Sequence, residues 1–187
     1  MERITIGLCG LLIILFCYGC ATTAGNTPEA KRRSIFAMKN EALSELYNIH
    51  PEAKSKISAA PGYAVFSNAN IGLFLVSVGN GHGVINRKGT KPIFMKMGEV
   101  GVGLGLGIKD FRAIFVFHDE ITLNKFIKEG WGFGAHTDVT AKAGDAGVAV
   151  GGEILYDGIT IYQLTESGLA LRAVVKGTKY WKDDNLN

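Results

Sequence analysis

The sequence predicts an α+β domain, mainly antiparallel β-sheet, compact and either barrel-like or two-layered, with amphipathic helices at its N-terminus and one inserted helix. Three observations carry this. Residues 28–60 place apolar side chains at helical spacing, the chain after Gly62 breaks into short β-rich runs between turn residues, and one further helical stretch interrupts that series. Helices, many strands, one helix and more strands is the order of an α+β domain, not of an alternating βαβ nucleotide fold.

The elements follow in order. The chain opens MERITIGLCGLLIILFCYGCATTAGNT, with Arg3 before an uncharged run from Ile4 to Gly19. That run is shorter than the roughly 20 apolar residues that cross a bilayer. A charged start, an apolar middle and small residues before a break make a secretory signal peptide. Gly19-Cys20-Ala21 sharpens it to a lipoprotein signal over residues 1–19, cut before Cys20, which becomes diacylglycerated. Cys17 stands where leucine is usual and Tyr18 is bulkier than the usual residue; an uncleaved anchor, or a cut after Ala24, would export the domain equally. Of the three cysteines, Cys9, Cys17 and Cys20, a mature chain keeps Cys20 alone. Lipidation consumes that thiol, leaving no disulfide framework, thiolate metal site or cysteine nucleophile. Ala21, where aspartate would retain a lipoprotein at an inner membrane, favours the periplasmic face of an outer membrane.

Residues 20–27 read as a flexible tether and residues 28–187 as one domain. Thr27 is a helix N-cap, Pro28 fits the first turn and Glu29 favours the positive end of the helix dipole. Ile35, Met38, Ala42, Leu46 and Ile49 then extend a helix to about His50, and PEAKSKISAA forms a shorter helix ending at Pro61-Gly62. Lys31, Arg32, Arg33 and Lys39 lie beside Ile35, Phe36 and Met38, which leaves two readings open. The helix lies in a lipid headgroup layer, or its apolar face packs on the sheet and its charges are solvated.

Strands are predicted at YAVFS, IGLFLVSV, GVINR, PIFMKM, VGVGLGLGI, FRAIFVF, TDVTAKA, GVAVGGEILY, ITIYQL and LALRAVV. Turns are predicted at GNGHG 79–83, RKGT 87–90, YDG 156–158 and ESG 166–168. Between FRAIFVF and TDVTAKA, Asp119 caps a helix with Leu123, Phe126 and Ile127 on its apolar face and Gly130 at its end. In GEVGVGLGLGIKD, alternation puts Gly101, Gly103, Gly105 and Gly107 on one strand face. Neither a Walker loop nor a dinucleotide turn opening a helix is present, so close packing against the stripped backbone explains the run. GWGFGA at 130–135 follows a helix and leads into β-pattern, a weak match to a dinucleotide turn.

Chemistry is thin. His50, His82, His118 and His136 are scattered without paired metal spacing, and no nucleophile elbow occurs. Asp119-Glu120 reads first as a helix cap with first-turn charge, and Asp138 and Asp145 lack an evident partner. No enzyme, metal or cofactor is expected. A net charge of +3 is too small for a nucleic-acid footprint, yet compatible with an anionic membrane.

The stretches AAPGYAVFSNANIGLFLVSVGNGHGVINRKG, PIFMKMGEVGVGLGLGIKD, IFVFHDEITLNKFI and IYQLTESGLALRAVVKGTKYWKDDN resemble the SYLF domain family, over roughly residues 30–187. Matching positions include Val65-Phe66, Gly81, Gly83, Arg87, Pro92, Asp110, Phe126, Gly168-Leu169, Gly177 and Asn185. Departures include Ser67 in place of proline, Gly103 and Gly107 in place of glutamines, and Leu164 and Ser167 in place of an aromatic and a basic residue. The resemblance implies binding of phospholipid without catalysis, through a basic helix at the domain's start. Lys31, Arg32, Arg33 and Lys39 occupy that helix by position. The expected protein is thus an envelope lipoprotein whose domain binds a phospholipid membrane. An alternative is a cell-envelope scaffold binding a protein partner. A small outer-membrane barrel fits less well, because one strand face is glycine where a lumen would be polar.

Overall fold

Three helices and one antiparallel sheet make up the computed structural model, which describes residues 27–73, 76–102, 107–133, 148–150, 153–165, 168–169 and 178–187. The predicted signal peptide, Cys20, nearly all of the tether, Gly103, Gly105, His136, Asp138, Asp145, TDVTAKA and most of LALRAVV lie outside these residues.

Helix α1 spans Pro28–Ile49 and begins as its sequence dictates: Thr27 Oγ1 accepts from the Ala30 N–H at 3.2 Å. It stops at His50, whose N–H still reaches the Leu46 carbonyl at 2.7 Å while Pro51 blocks continuation. Helix α2 spans Ala53–Ala59. Helix α3 spans Glu120–Glu129; the Asp119 carboxylate accepts from the Thr122 N–H at 2.7 Å and the Thr122 hydroxyl at 3.0 Å. Gly130 ends it at φ +67, where a Cβ would strike the Tyr180 carbonyl.

The strands are β1 (Gly62–Leu73), β2 (Val76–Arg87), β3 (Ile93–Val102), β4 (Gly107–Phe117), β5 (Trp131–Phe133), β6 (Val148–Val150), β7 (Glu153–Tyr156), β8 (Ile159–Thr165), β9 (Gly168–Leu169) and β10 (Thr178–Lys182). Their order is β5-β10-β3-β2-β1-β4-β8-β7-β6, with β9 beside β8. Six of them, β10-β3-β2-β1-β4-β8, form its body. No pairing among the described residues joins β5 to β6, so the sheet is open and not closed into a barrel. It is nevertheless strongly curled. Phe115 on β4 and Tyr180 on β10 lie four strand steps apart, about 19 Å across a flat sheet, yet their ring centroids are 5.3 Å apart.

Both faces are buried, which is why the central strands read as continuous apolar runs. Ala64, Phe66, Ile85, Met95, Met97, Phe115 and Phe117 fill the concave side, closed by Leu123, Phe126 and Ile127 of α3. On the convex side Val65, Ile114, Val116, Tyr162 and Leu164 pack against Ala42, Leu43 and Leu46 of α1 and Ala53 and Ile57 of α2. A smaller cluster joins Ile35 of α1 to Val84, Phe94 and the tail residue Leu186.

Four local expectations change. IGLFLVSV is not one strand: Ile71–Leu73 ends β1 and Val76 opens β2, with Leu73 paired to Val76. GNGHG is not a turn but the middle of β2, paired on both sides, because its glycines admit the curl. The run from Gly101 to Gly107 is likewise not one strand face. Gly101 belongs to β3 and Gly107 to β4, with β2 and β1 between them in the sheet. GVAVGGEILY divides into β6 and β7, paired with each other. The predicted turn YDG is present, with Asp157 at φ 43 and Gly158 at φ +75.

Candidate functional site

The four cations predicted on the first helix do not form a single cluster. Ile35, Ala42, Leu43 and Leu46 turn the apolar stripe of α1 onto the convex sheet face, so the helix presents charge outward rather than an apolar face. Arg32 is held in the fold. Its Nε donates to the Leu186 carbonyl at 2.9 Å, its guanidinium lies 5.9 Å from the Phe94 ring centroid, and its Nη1 is 3.5 Å from Glu29. Lys39 lies with its ammonium 5.2 Å from the Phe36 ring centroid, and burial lowers its pKa. Lys31 and Arg33 are exposed. Towards its C-terminal half the helix is tied to β4, where Arg112 reaches Glu41 at 3.1 Å and Glu45 at 3.6 Å.

A second constellation was not legible as a group. Glu153, at the start of β7, is buried at the end of the helical pair. His50 Nε2 donates to its Oε1 at 2.7 Å, the Tyr162 hydroxyl donates to the same oxygen at 3.0 Å, and Lys56 Nζ donates to Oε2 at 2.7 Å. Burial alone would raise the Glu153 carboxyl, but these donors outweigh it and the net shift is downward. Burial and the Glu153 carboxylate push the Tyr162 phenol well above its ordinary range. One carboxylate thereby joins the α1–α2 corner to β7 and β8. No sequence spacing announces it, since Glu153 lies 103 residues from His50 and 97 from Lys56.

The remaining candidates have structural partners. Asp119 caps α3, and hydrogen bonds from Thr122 lower its pKa. Glu120 pairs with Arg87, which also donates to Asn124 Oδ1 at 3.0 Å, fastening α3 to β2. His118 meets the Thr160 hydroxyl at 2.8 Å. His82 is half-buried on the convex face; burial lowers its pKa, Asp183 raises it and Lys31 lowers it. Among the described residues no group of three potential metal ligands gathers, and no helix is long and apolar enough to cross a membrane, which says nothing of β-barrel spans. A shallow hollow lined by Thr122, Lys125, Phe126, Gly130, Asp157 and Ile159 brings together no convergent acid–base set.

Fold and site together define an α+β protein, an open curled sheet covered on its convex face by a helix that presents basic side chains to solvent. The chain is 35% identical over 161 residues to the protein named Beta cell expansion factor A from Aeromonas veronii, and the two are homologues. That alignment takes in 86% of this chain but 60% of the relative, so the chain matches less than two thirds of the relative's length. No protein-family model matches the chain.

Proposed function

We propose that this chain is an exported lipoprotein of SYLF type, anchored through a diacylglyceryl group on Cys20, whose domain adheres without catalysis to an anionic phospholipid surface at the periplasmic face of an outer membrane. The observation that carries the reading is the division of labour on α1. Its apolar stripe is occupied by the sheet while Lys31 and Arg33 remain exposed, an arrangement suited to peripheral electrostatic contact. The SYLF resemblance supports it, as does homology to a relative whose name is one under which SYLF-domain proteins are known. An anchor and a weak basic contact reinforce one another, because the tether keeps the domain at high effective concentration near the bilayer.

Flotation of the chain from Ala21 to Asn187 with anionic vesicles tests the surface contact. Flotation that falls several-fold in a Lys31→Glu/Arg33→Glu variant supports it. Absence of flotation for both proteins removes it and favours an envelope scaffold recognising a protein partner. The anchor is tested separately, by the mass of the membrane-extracted protein against that of Cys20–Asn187 carrying acyl groups.

A further inference from the structure

We propose that the β10 edge, through Trp181, inserts into the headgroup layer of the same anionic bilayer, so that the membrane-facing flank is built from both ends of the domain. This rests on the reading that the domain adheres to phospholipid.

Trp181 is one of two tryptophans in the chain and is 39% exposed. Its indole lies on the convex side over Gly98 of β3: a Cβ at Gly98 would stand 3.1 Å from its Cη2 and 3.4 Å from its Cζ3. Glycine therefore lets a large aromatic rest against the strand backbone while its outer face meets solvent. A ring that is apolar in body and carries one N–H suits a bilayer interface, where one end is apolar and the other wet.

The charges around it have the complementary sign. Lys179, two residues before it on β10, shares its face and is exposed. Lys96 faces it in register across β3 and holds Asp183 at 3.1 Å. His82 is the next residue in that row, and Lys31 lies near enough to act on its protonation. The basic start of α1 arrives at the same flank, since Arg32 is bound to Leu186 and stacked on Phe94. Glu29 is paired with Arg32 and Asp183 with Lys96, which leaves Asp184 against Lys31 and Lys179. Because α1 has turned its apolar stripe inward, the helix brings charge to the bilayer but no insertion; the indole supplies the apolar element the helix lacks.

The test uses the full chain in vesicles of phosphatidylcholine with phosphatidylglycerol, carrying Trp131→Phe so that Trp181 is the sole tryptophan. The expected result is a blue-shifted emission that is strongly quenched by lipids brominated near the carbonyl end of their chains. It should weaken in vesicles of phosphatidylcholine alone and at about 1 M salt, where screening acts within ~3 Å, and in a Lys179→Glu variant. Emission like that in water and no quenching, on protein that sediments with the vesicles, overturns the Trp181 contact and leaves the anchor untouched. Failure of the Ala21–Asn187 chain to float defeats the underlying phospholipid reading instead. Should Trp131→Phe not fold, Trp181→Phe in the otherwise native chain gives the same decision: loss of the quenched component supports the contact, and its persistence overturns it.

Discussion

The ring of Tyr180 lies 4.6 Å from that of Phe66, although β3 and β2 run between the strands that carry them. Such a contact across three strand steps needs a sheet that folds over its own concave face, and β2 permits it at its glycines. Phe66 crosses to Gly83 in register and Asn68 to Gly81. A Cβ at Gly83 would meet the Val65 carbonyl and stand 2.8 Å from Phe66 Cε1; one at Gly81 would meet the Ser67 carbonyl and stand 2.9 Å from Asn68 Cα. The aromatic cluster of Phe66, Phe115, Phe126 and Tyr180 exists because the strand beside it carries no side chain at these points.

Gly83→Ala should therefore be severe. Relief needs a shift of β1 backbone, not just a rotamer change, and a cost of about 3 kcal/mol or more is expected for such overpacking. Gly89→Ala is the control: it lies in the turn after β2 at φ +72 with open space around it, and should cost about 1 kcal/mol through backbone conformation alone. Chemical denaturation of the two variants checks this. Equal losses would show that Phe66 and β1 yield easily and that the curl does not depend on the glycine.

Glu153 gives a second prediction. Glu153→Ala leaves the buried Tyr162 hydroxyl without its acceptor and frees the α1–α2 corner from β7, at a cost of about 2–4 kcal/mol. Glu153→Gln keeps an acceptor for the phenol and forfeits mainly the Lys56 charge pair. That pair is half-exposed, with Lys56 42% accessible, so a loss of about 1 kcal/mol or less is expected. Similar losses for both variants, measured by urea unfolding, would place the stabilisation in the charge and not in the buried hydrogen bond.

What could be read in advance was what local chemistry dictates. Thr27, Pro51, Asp119 and Gly130 bound their helices because caps and breakers act on their own turns. The α+β class followed from period. Strand boundaries in Gly-rich sequence did not: the apolar pattern runs unbroken through IGLFLVSV and VGVGLGLGI, so periodicity had no means of locating the hairpin between Leu73 and Val76 or of separating Gly101 on β3 from Gly107 on β4. GNGHG carried a turn composition, yet tertiary packing required those glycines inside a strand. The Glu153 cluster was invisible for another reason, since its partners meet only once α1, α2, β7 and β8 are assembled.

Acid sensitivity should centre on His82. Its folded pKa is lowered, chiefly by burial, so the unfolded chain binds the proton more readily. Stability from the neutral ring is fully present above the unfolded value of about 6.5 and is lost as pH falls through the lower folded value. Glu153 and Asp119 are also lowered, but their contribution declines only below the unfolded carboxylate range near ~4. Unfolding free energy should consequently fall as pH drops below the unfolded histidine value of about 6.5, and His82→Gln should flatten that slope. A proton-NMR titration placing His82 at or above about 6.5 would contradict the account.

The basic residues of α1 should separate into two kinds. Arg32 donates to the Leu186 carbonyl and stacks over Phe94, joining the first helix to the chain's last residues. Arg32→Ala should cost about 1–2 kcal/mol, through an unpaired carbonyl, lost packing and a weakened cation–π contact. Lys31→Ala and Arg33→Ala remove exposed charges and should stay within about 0.5 kcal/mol of the parent. Vesicle affinity should run the other way, with each exposed cation contributing about 1 kcal/mol near an anionic surface. The Lys31→Ala/Arg33→Ala pair would then lose roughly 10-fold or more in partitioning while melting like the parent. Measured side by side, thermal unfolding and vesicle co-sedimentation distinguish the roles. Partitioning that falls only in proportion to lost stability would mean that α1 serves the fold alone and that the bilayer contact lies elsewhere.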